Sequence, residues 1–253
     1  MGPFQMAALR VLIAAAFYVP VFVASRHALS ARQGVALGLL GVVLYYLGFN
    51  VGLQTARVTD AGVIQASIPA VSALIAIPML GERPRPIVWF GIAVSFVGVV
   101  VLVSGTRAGG EGSLVGDLLI VWSVIVWALY SVYVRKLGGS MTPAAITAAT
   151  MVWGGLLVVP LGLAELAFIR PHPTPSSLSA TVLLAVFAGA LAYWLWSFGL
   201  ARIEAAKGTN YLNLLPLVAA VSGALVLGER IGPTEVVGGL LIVGGVTLTA
   251  RSR

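Results

Sequence analysis

The side chains of this chain that could recognise a ligand are amides, hydroxyls and one arginine, set singly into long apolar segments. Asn210 and Asn213 share a helical face one turn before Pro216, and Gln65 shares a face with Pro69. An amide group in apolar surroundings is costly unless it is hydrogen-bonded. We therefore expect these side chains to face the interior of a helix bundle, where they either bind a small solute or join neighbouring helices.

A second set of polar side chains lies one helical turn after two tyrosines. Asn50 follows Tyr46, and Ser197 follows Tyr193 at the same spacing. We predict that both sets line one central space, with Tyr46 opposite Tyr193. Aromatic rings away from the helix ends could stack on a solute, and packing in the protein core is the alternative. These rings belong to Tyr45, Tyr46, Trp122, Trp127, Tyr130, Tyr193, Trp194 and Trp196.

Arg10 is the only arginine well inside an apolar segment. It could extend its charge toward the membrane surface, or it could bind the carboxylate of a solute, since intramembrane charges are commonly functional.

No Asp, Glu or His lies near the centre of an apolar segment, and the chain contains no cysteine. Metalloprotease, nucleophile-elbow and phosphate-loop motifs are also absent from the sequence. The sequence therefore predicts a protein that is not an enzyme and uses no cofactor or metal.

The composition predicts an all-α membrane protein. Hydrophobic residues make up 59% of the 253 residues, charged residues make up 9%, and the mean hydropathy is +1.03. Soluble domains carry about 25% charged residues, whereas a helix of roughly 20 apolar residues spans a bilayer. Because the apolar runs are continuous rather than alternating, a transmembrane β-barrel is excluded. Nine transmembrane helices are predicted, at residues 4–25, 34–56, 61–80, 87–105, 117–134, 143–165, 178–201, 208–227 and 235–250.

Two parts of the chain repeat each other, without a gap, at an offset of 147 positions. Such an internal duplication in an apolar chain is typical of transporters. Pro69 and Pro216 match at this offset, and each is predicted to kink its helix near mid-span.

The repeated segment includes a short turn between two helices. Its residues are Gly81, Glu82 and Arg83 in the first copy and Gly228, Glu229 and Arg230 in the second copy. A glycine can end a helix in the left-handed conformation, and a glutamate is favourable beside the N-terminus of the next helix. The turn is therefore explained as structural, although its charges could instead pair at the gates of a transport pathway.

The basic residues predict the orientation in the membrane. Ten of them fall in loops on one side and four on the other, which places the C-terminus in the cytoplasm. They occur singly rather than in a patch, so the net charge of +7 does not indicate nucleic-acid binding. The first repeat, within 1–106, then has four helices, and the second, within 115–253, has five. Because five is odd, the repeats must be inverted, and a first helix ahead of Met1 is expected to be missing.

The repeated turn is followed by Pro86 or Pro233 and then by a glycine-rich helix, and this combination resembles the EamA domain of the drug/metabolite transporter superfamily. The segments around Arg10 and Trp127 resemble the second and sixth helices of that family. The resemblance implies ten helices in two inverted repeats, so this chain would lack the first of them. It also implies movement of small metabolites, often export of amino acids or related solutes.

Together these observations predict a multi-pass carrier in a bacterial inner membrane that moves a small amphipathic solute by alternating access. A passive channel is the first alternative and an intramembrane enzyme the second. The expected partners are the lipid bilayer and the small-molecule solute, without nucleic acid, and self-association into a homo-oligomer stays open.

The orientation gives the first testable prediction. A reporter fused after Arg253 should be active only if it functions in the cytoplasm, whereas one inserted in the loop 170–179 should be active only outside. Paired cytoplasmic and periplasmic reporters at both positions provide the control. Periplasmic activity at the C-terminus would contradict the predicted orientation.

Overall fold

The computed structural model describes residues 2–104, 113–170, 173–227 and 231–251, and every regular element in these ranges is a helix. Nine of the described helices are long and apolar enough to cross a membrane. This confirms the predicted all-α class and the expected number of membrane-spanning helices. The helices are α1 (Pro3–Ser25), α2 (Ala31–Gly52), α3 (Val58–Leu80), α4 (Pro86–Ser104), α5 (Leu114–Leu137), α6 (Pro143–Glu165), α7 (Pro175–Leu200), α8 (Ala205–Val226) and α9 (Pro233–Arg251).

The helices begin where local sequence signals favour a start. Ser30 and Thr142 precede α2 and α6, and their hydroxyls accept hydrogen bonds from the backbone N–H groups of Gln33 and Ala145. Helices α4, α6, α7 and α9 all have proline as their first residue, a position where the missing N–H has no cost. At the other end of α3, Gly81 has φ +68°, the left-handed conformation that terminates a helix.

Four helices depart from regular α geometry, and they do so in matching pairs. Helix α2 is π-helical at Leu39–Leu44, and α7 is π-helical at Leu184–Leu191, which covers the matching positions at the 147-residue offset. Helix α3 is interrupted between Gln65 and Ile68, and α8 is 3₁₀-helical at Tyr211–Leu214. π-helical turns are rare and are frequently found at functional sites.

The contacts divide the chain into two compact units. The first unit combines Met1–Val51 with Tyr133–Arg202, and the second unit combines Gly52–Val132 with Ile203–Arg253. Each unit therefore contains helices from both predicted repeats. The division of the sequence at 1–106 and 115–253 describes a different property, common descent rather than packing, and it stays a prediction.

Helices α4 and α9 pack against each other in the second unit through four glycines. A Cβ atom placed on Gly91 would lie 2.7 Å from the carbonyl oxygen of Gly245, and one on Gly98 would lie 2.8 Å from that of Gly238. Residue numbers rise along one helix as they fall along the other, so the two helices are antiparallel. Only glycine allows backbones to approach so closely.

The first unit is organised around the contact between α1 and α6. Gly162 packs against Ala8, and Gly155 packs against Val11 one to two turns further along, so this helix pair is also antiparallel. Helix α2 joins the pair where Gly154 of α6 lies against Val42. Small residues again mark the points of closest approach between helices.

The close contacts of Gly91 with Gly245 and of Gly98 with Gly238, called the glycine crossing below, give a stability prediction. Gly98→Leu should lower the thermal unfolding midpoint in detergent by about 4 °C or more, because the side chain would meet the backbone of Ile242 and Gly238. Gly244→Leu on α9 is the matched control, since a Cβ atom there has no neighbour within 4 Å. Equal midpoints for the two variants would contradict the proposed role of the crossing.

Candidate functional site

The predicted amides Asn210 and Asn213 lie fully buried within the second unit, in a closed network of hydrogen bonds. Asn210 accepts a hydrogen bond from the Ser95 hydroxyl of α4 (2.7 Å) and donates one to the Thr249 hydroxyl of α9 (2.7 Å). Asn213 donates to the Ser95 hydroxyl (3.0 Å) and to the Asn210 side-chain oxygen (3.2 Å). The network therefore joins the interrupted part of α8 to both helices of the glycine crossing.

This network occurs once, although the sequence repeats. At the 147-residue offset, Asn213 corresponds to Ala66, Thr249 to Leu102 and Ser95 to Ile242. Ala66, Leu102 and Ile242 form an apolar cluster together with Val99 and Val246. Equivalent positions in the two halves thus differ in polarity, a difference that the repeat pattern alone did not indicate.

Gln65 also has a partner within the second unit. Its side-chain amide donates to the hydroxyl of Ser123 on α5 at 2.9 Å, just before the interruption of α3. Pro69 follows that interruption and is buried, and Pro216 occupies the matching place after the 3₁₀ turn of α8. Ser72, one turn beyond Pro69, is buried, and its hydroxyl makes no hydrogen bond within the described residues.

The first predicted turn caps another helix. The Glu82 carboxylate accepts a hydrogen bond from the backbone N–H of Ala205 at 3.0 Å, at the N-terminus of α8. A carboxylate is favourable there because the first N–H groups of a helix carry partial positive charge. Gly81 and Arg83 are exposed. The second turn, with Gly228, Glu229 and Arg230, lies outside the described residues.

Two predicted residues of the first unit, Tyr193 and Ser197, make hydrogen bonds to other helices. The Tyr193 hydroxyl donates to the carbonyl of Gly41, within the π-helical turn of α2, at 2.7 Å. Ser197 is buried and accepts a hydrogen bond from the Thr147 hydroxyl of α6 at 3.2 Å. The Tyr18 hydroxyl similarly donates to the carbonyl of Ala190, in the π-helical segment of α7, at 2.9 Å.

Sequence reasoning missed Tyr18, Thr147 and Ser123, because a hydroxyl among apolar residues has no distinctive spacing. The carbonyl that the Tyr18 hydroxyl meets becomes identifiable only once the π-helical segment of α7 is known.

Arg10 and Tyr46 lie together within the first unit. The guanidinium carbon of Arg10 is 5.8 Å from the centre of the Tyr46 ring, which is 6% exposed. The ring of Tyr45 is 5.8 Å from that of Tyr46 and stacks on Phe49 at 5.6 Å. Asn50, one turn beyond Tyr46, is half-buried.

The two predicted aromatic residues of α5 contact each other. The rings of Trp127 and Tyr130 are 5.2 Å apart; Tyr130 is fully buried and Trp127 half-buried. Trp122, by contrast, is 45% exposed on the surface of its unit. In the part of the chain that the structure describes, the residues predicted to bind solute therefore lie in small local groups within each unit.

Two open apolar grooves lie elsewhere. One, of about 240 Å³, follows α1 and α6 beside Leu9 and Val159, and the other, of about 300 Å³, follows α8 and α9 beside Leu217 and Leu240. Neither groove is lined by a residue predicted to bind solute.

Several known transporters are similar in sequence to this chain. The uncharacterized transporter YetK of Bacillus subtilis (strain 168) is 25% identical over 83% of this chain, which covers 64% of that relative, less than two thirds of its length. The threonine/homoserine exporter RhtA of Escherichia coli (strain K12) is 27% identical over 96% of this chain and 80% of its own length. A probable terminal-alkyne amino-acid exporter of Streptantibioticus cattleyicolor is 29% identical over 85% of this chain and 71% of its own length.

A structural comparison and a family match agree with these sequence similarities. A solved crystal structure superposes with a TM-score of 0.82 over 98% of this chain and 87% of that chain, at 22% identity, which shows a shared fold. The profile of the EamA-like transporter family matches residues 1–104 and 114–251. The match covers almost the whole sequence, and the chain therefore belongs to the EamA-like transporter family of multi-pass membrane proteins.

Proposed function

We propose that this protein is a carrier that exports a small amphipathic solute, such as an amino acid, by alternating access. The interrupted membrane helices are the observation that carries the proposal. Helix α3 breaks just before Pro69, and α8 tightens into a 3₁₀ turn just before Pro216. Broken helices at corresponding positions of two halves are a strong sequence pointer to a transporter's solute site.

The interruptions have a physical consequence for binding. A proline removes one helical hydrogen bond and leaves a backbone carbonyl that lipid cannot satisfy. At the break of α3, the carbonyl of Ile64 accepts hydrogen bonds from both the backbone N–H (3.1 Å) and the hydroxyl (2.6 Å) of Ser67. The remaining groups at a break must meet protein, water or solute, so polar chemistry is concentrated near the middle of these helices.

The packing of α4 on α9 supports inverted repeats. Gly91 and Gly98 correspond to Gly238 and Gly245 at the repeat offset, yet Gly91 contacts Gly245 and Gly98 contacts Gly238. Such an exchanged pairing is the signature of two equivalent elements related by a two-fold axis. Antiparallel helices related in this way would run in opposite directions through the membrane, as inversion requires.

The names of two relatives support an amino-acid-like solute, since both are described as exporters of amino acids. Among the predicted residues, those that are half-buried are the first candidates for solute contact: Arg10 and Asn50 in the first unit, and Gln65 and Trp127 in the second. Asn210 and Asn213 have their hydrogen bonds within the protein, which favours a packing role for them. The proposed location is the bacterial inner membrane, with the C-terminus in the cytoplasm.

The proposal is tested by counterflow in proteoliposomes. Vesicles preloaded with unlabelled L-threonine or L-homoserine should accumulate the same labelled solute transiently, at a rate that saturates with concentration. A carrier shows this behaviour because each solute molecule must bind before the protein changes conformation. Empty vesicles are the control, and a flux that stays linear, without accumulation, would favour a channel and contradict the proposal.

Matched alanine substitutions distinguish the packing role proposed for Asn210 from the solute-binding role proposed for Asn50. Asn210→Ala should lower the free energy of unfolding by about 1–3 kcal/mol, because Ser95 and Thr249 would lose a buried partner. Asn50→Ala should change the free energy of unfolding by less than about 0.5 kcal/mol and raise the KM for the transported solute. Thermal unfolding and transport kinetics of both variants check this, and a reversed pattern would refute the assignment.

A further inference from the structure

Arg10, in the first unit, has a buried hydrogen-bond donor that no described residue accepts. Its Nε atom is buried and has no hydrogen-bond partner among the described residues. The ion pairs found among those residues, Arg57 with Asp60 and Lys207 with Glu204, do not include it. The residue lies seven positions after the start of α1, so its backbone is about 10 Å along the helix. The side chain as a whole is half-buried, but a buried donor that is left without an acceptor is unfavourable. It is therefore retained only where something else compensates.

The surrounding rings compensate in part. The guanidinium lies over the Tyr46 ring at 5.8 Å, and the ring of Tyr45 adjoins that of Tyr46. A cation–π contact offsets part of the cost of placing the charge here, but the ring face gives the Nε–H group no acceptor. An anion is the partner that would satisfy both the charge and the donors.

The charge is specific to one half of the molecule. At the repeat offset, Arg10 corresponds to Leu157 on α6, and Tyr46 corresponds to Tyr193. Tyr193 donates its hydroxyl to the Gly41 carbonyl, whereas Tyr46 supports the arginine with its ring face. Packing at this position can therefore be achieved with leucine in an equivalent helix, and the arginine serves a purpose other than filling space.

We propose that Arg10, backed by Tyr46 and Tyr45, is the subsite that binds the carboxylate group of the transported solute. This assignment rests on the proposed carrier function and narrows its substrate class to monocarboxylates, including zwitterionic amino acids. A guanidinium presents paired N–H donors that match the two oxygens of a carboxylate. A single positive charge balances a carboxylate but would leave a phosphate dianion under-neutralised.

The test compares two solutes that differ only at the carboxyl group. L-Threonine and L-threoninamide are offered to proteoliposomes that contain the wild type, Arg10→Gln, Arg10→Lys or Arg202→Gln. The wild type should transport threonine and not the amide, and Arg10→Gln should raise the KM for threonine at least tenfold. Arg10→Lys should fall in between, because it keeps the charge and loses the paired donors.

Arg202→Gln is the matched control. Arg202 also lies over an aromatic ring in the first unit, 3.4 Å from the centre of Phe198, but it is exposed and donates to the Phe198 carbonyl. Its substitution should leave the KM unchanged. If the wild type transports both solutes equally, or if Arg10→Gln retains the wild-type KM, the carboxylate subsite is refuted while the carrier function stands.

A stability measurement applies even if the wild type transports neither solute, an outcome that would refute the amino-acid carrier. Arg10→Leu introduces the residue type found at the equivalent position 157. If the Arg10 charge is paired only when an anion binds, the thermal unfolding midpoint of the variant without solute should lie about 2–4 °C above that of the wild type. The reason is that the substitution removes an unpaired charge. A lower midpoint would show that Arg10 stabilises the fold itself and would overturn the subsite.

Discussion

The structure depends on one constraint: a polar group inside a bilayer must find its partner within the protein, because lipid offers none. Regular helices meet the constraint for their own backbones, which is why every regular element among the described residues is a helix. The constraint becomes informative where a helix is irregular or carries a polar side chain. At those places a specific partner has to be supplied, and the partner identifies which helices belong together.

The first unit shows how irregular turns are supported. Its two π-helical segments each receive a hydrogen bond from a tyrosine of another helix, Tyr193 to Gly41 and Tyr18 to Ala190. These bonds satisfy carbonyls that the wider turn displaces from the regular helical pattern. The irregular turns are therefore stable features of the packing, held by side chains from elsewhere in the same unit.

The second unit shows how a duplicated scaffold becomes asymmetric. In the glycine crossing of α4 and α9, both helices contribute glycines at equivalent positions of the repeat. The side chains around it nevertheless differ in polarity: they are polar at Ser95, Asn210 and Thr249 and apolar at Leu102 and Ile242. Backbone packing tolerates such divergence because most of the close approaches at these four glycines are to backbone atoms of the other helix. Symmetry in the scaffold thus coexists with different chemistry in its two halves.

The sequence by itself determined the helical class, the nine membrane-spanning segments and the family, because continuous apolar runs and a repeated glycine-proline turn are local signals. It also singled out Arg10, Gln65 and the two asparagines as polar residues in need of partners. Only the tertiary structure decided which partners they have: Asn210 and Asn213 bond to each other and to hydroxyls, whereas the Arg10 guanidinium lies over the Tyr46 ring and its Nε has no acceptor among the described residues. The physical reason is that hydrogen bonds between helices join residues distant in the sequence, such as Asn210 and Thr249 at 39 positions and Asn210 and Ser95 at 115, and no local pattern records such a separation.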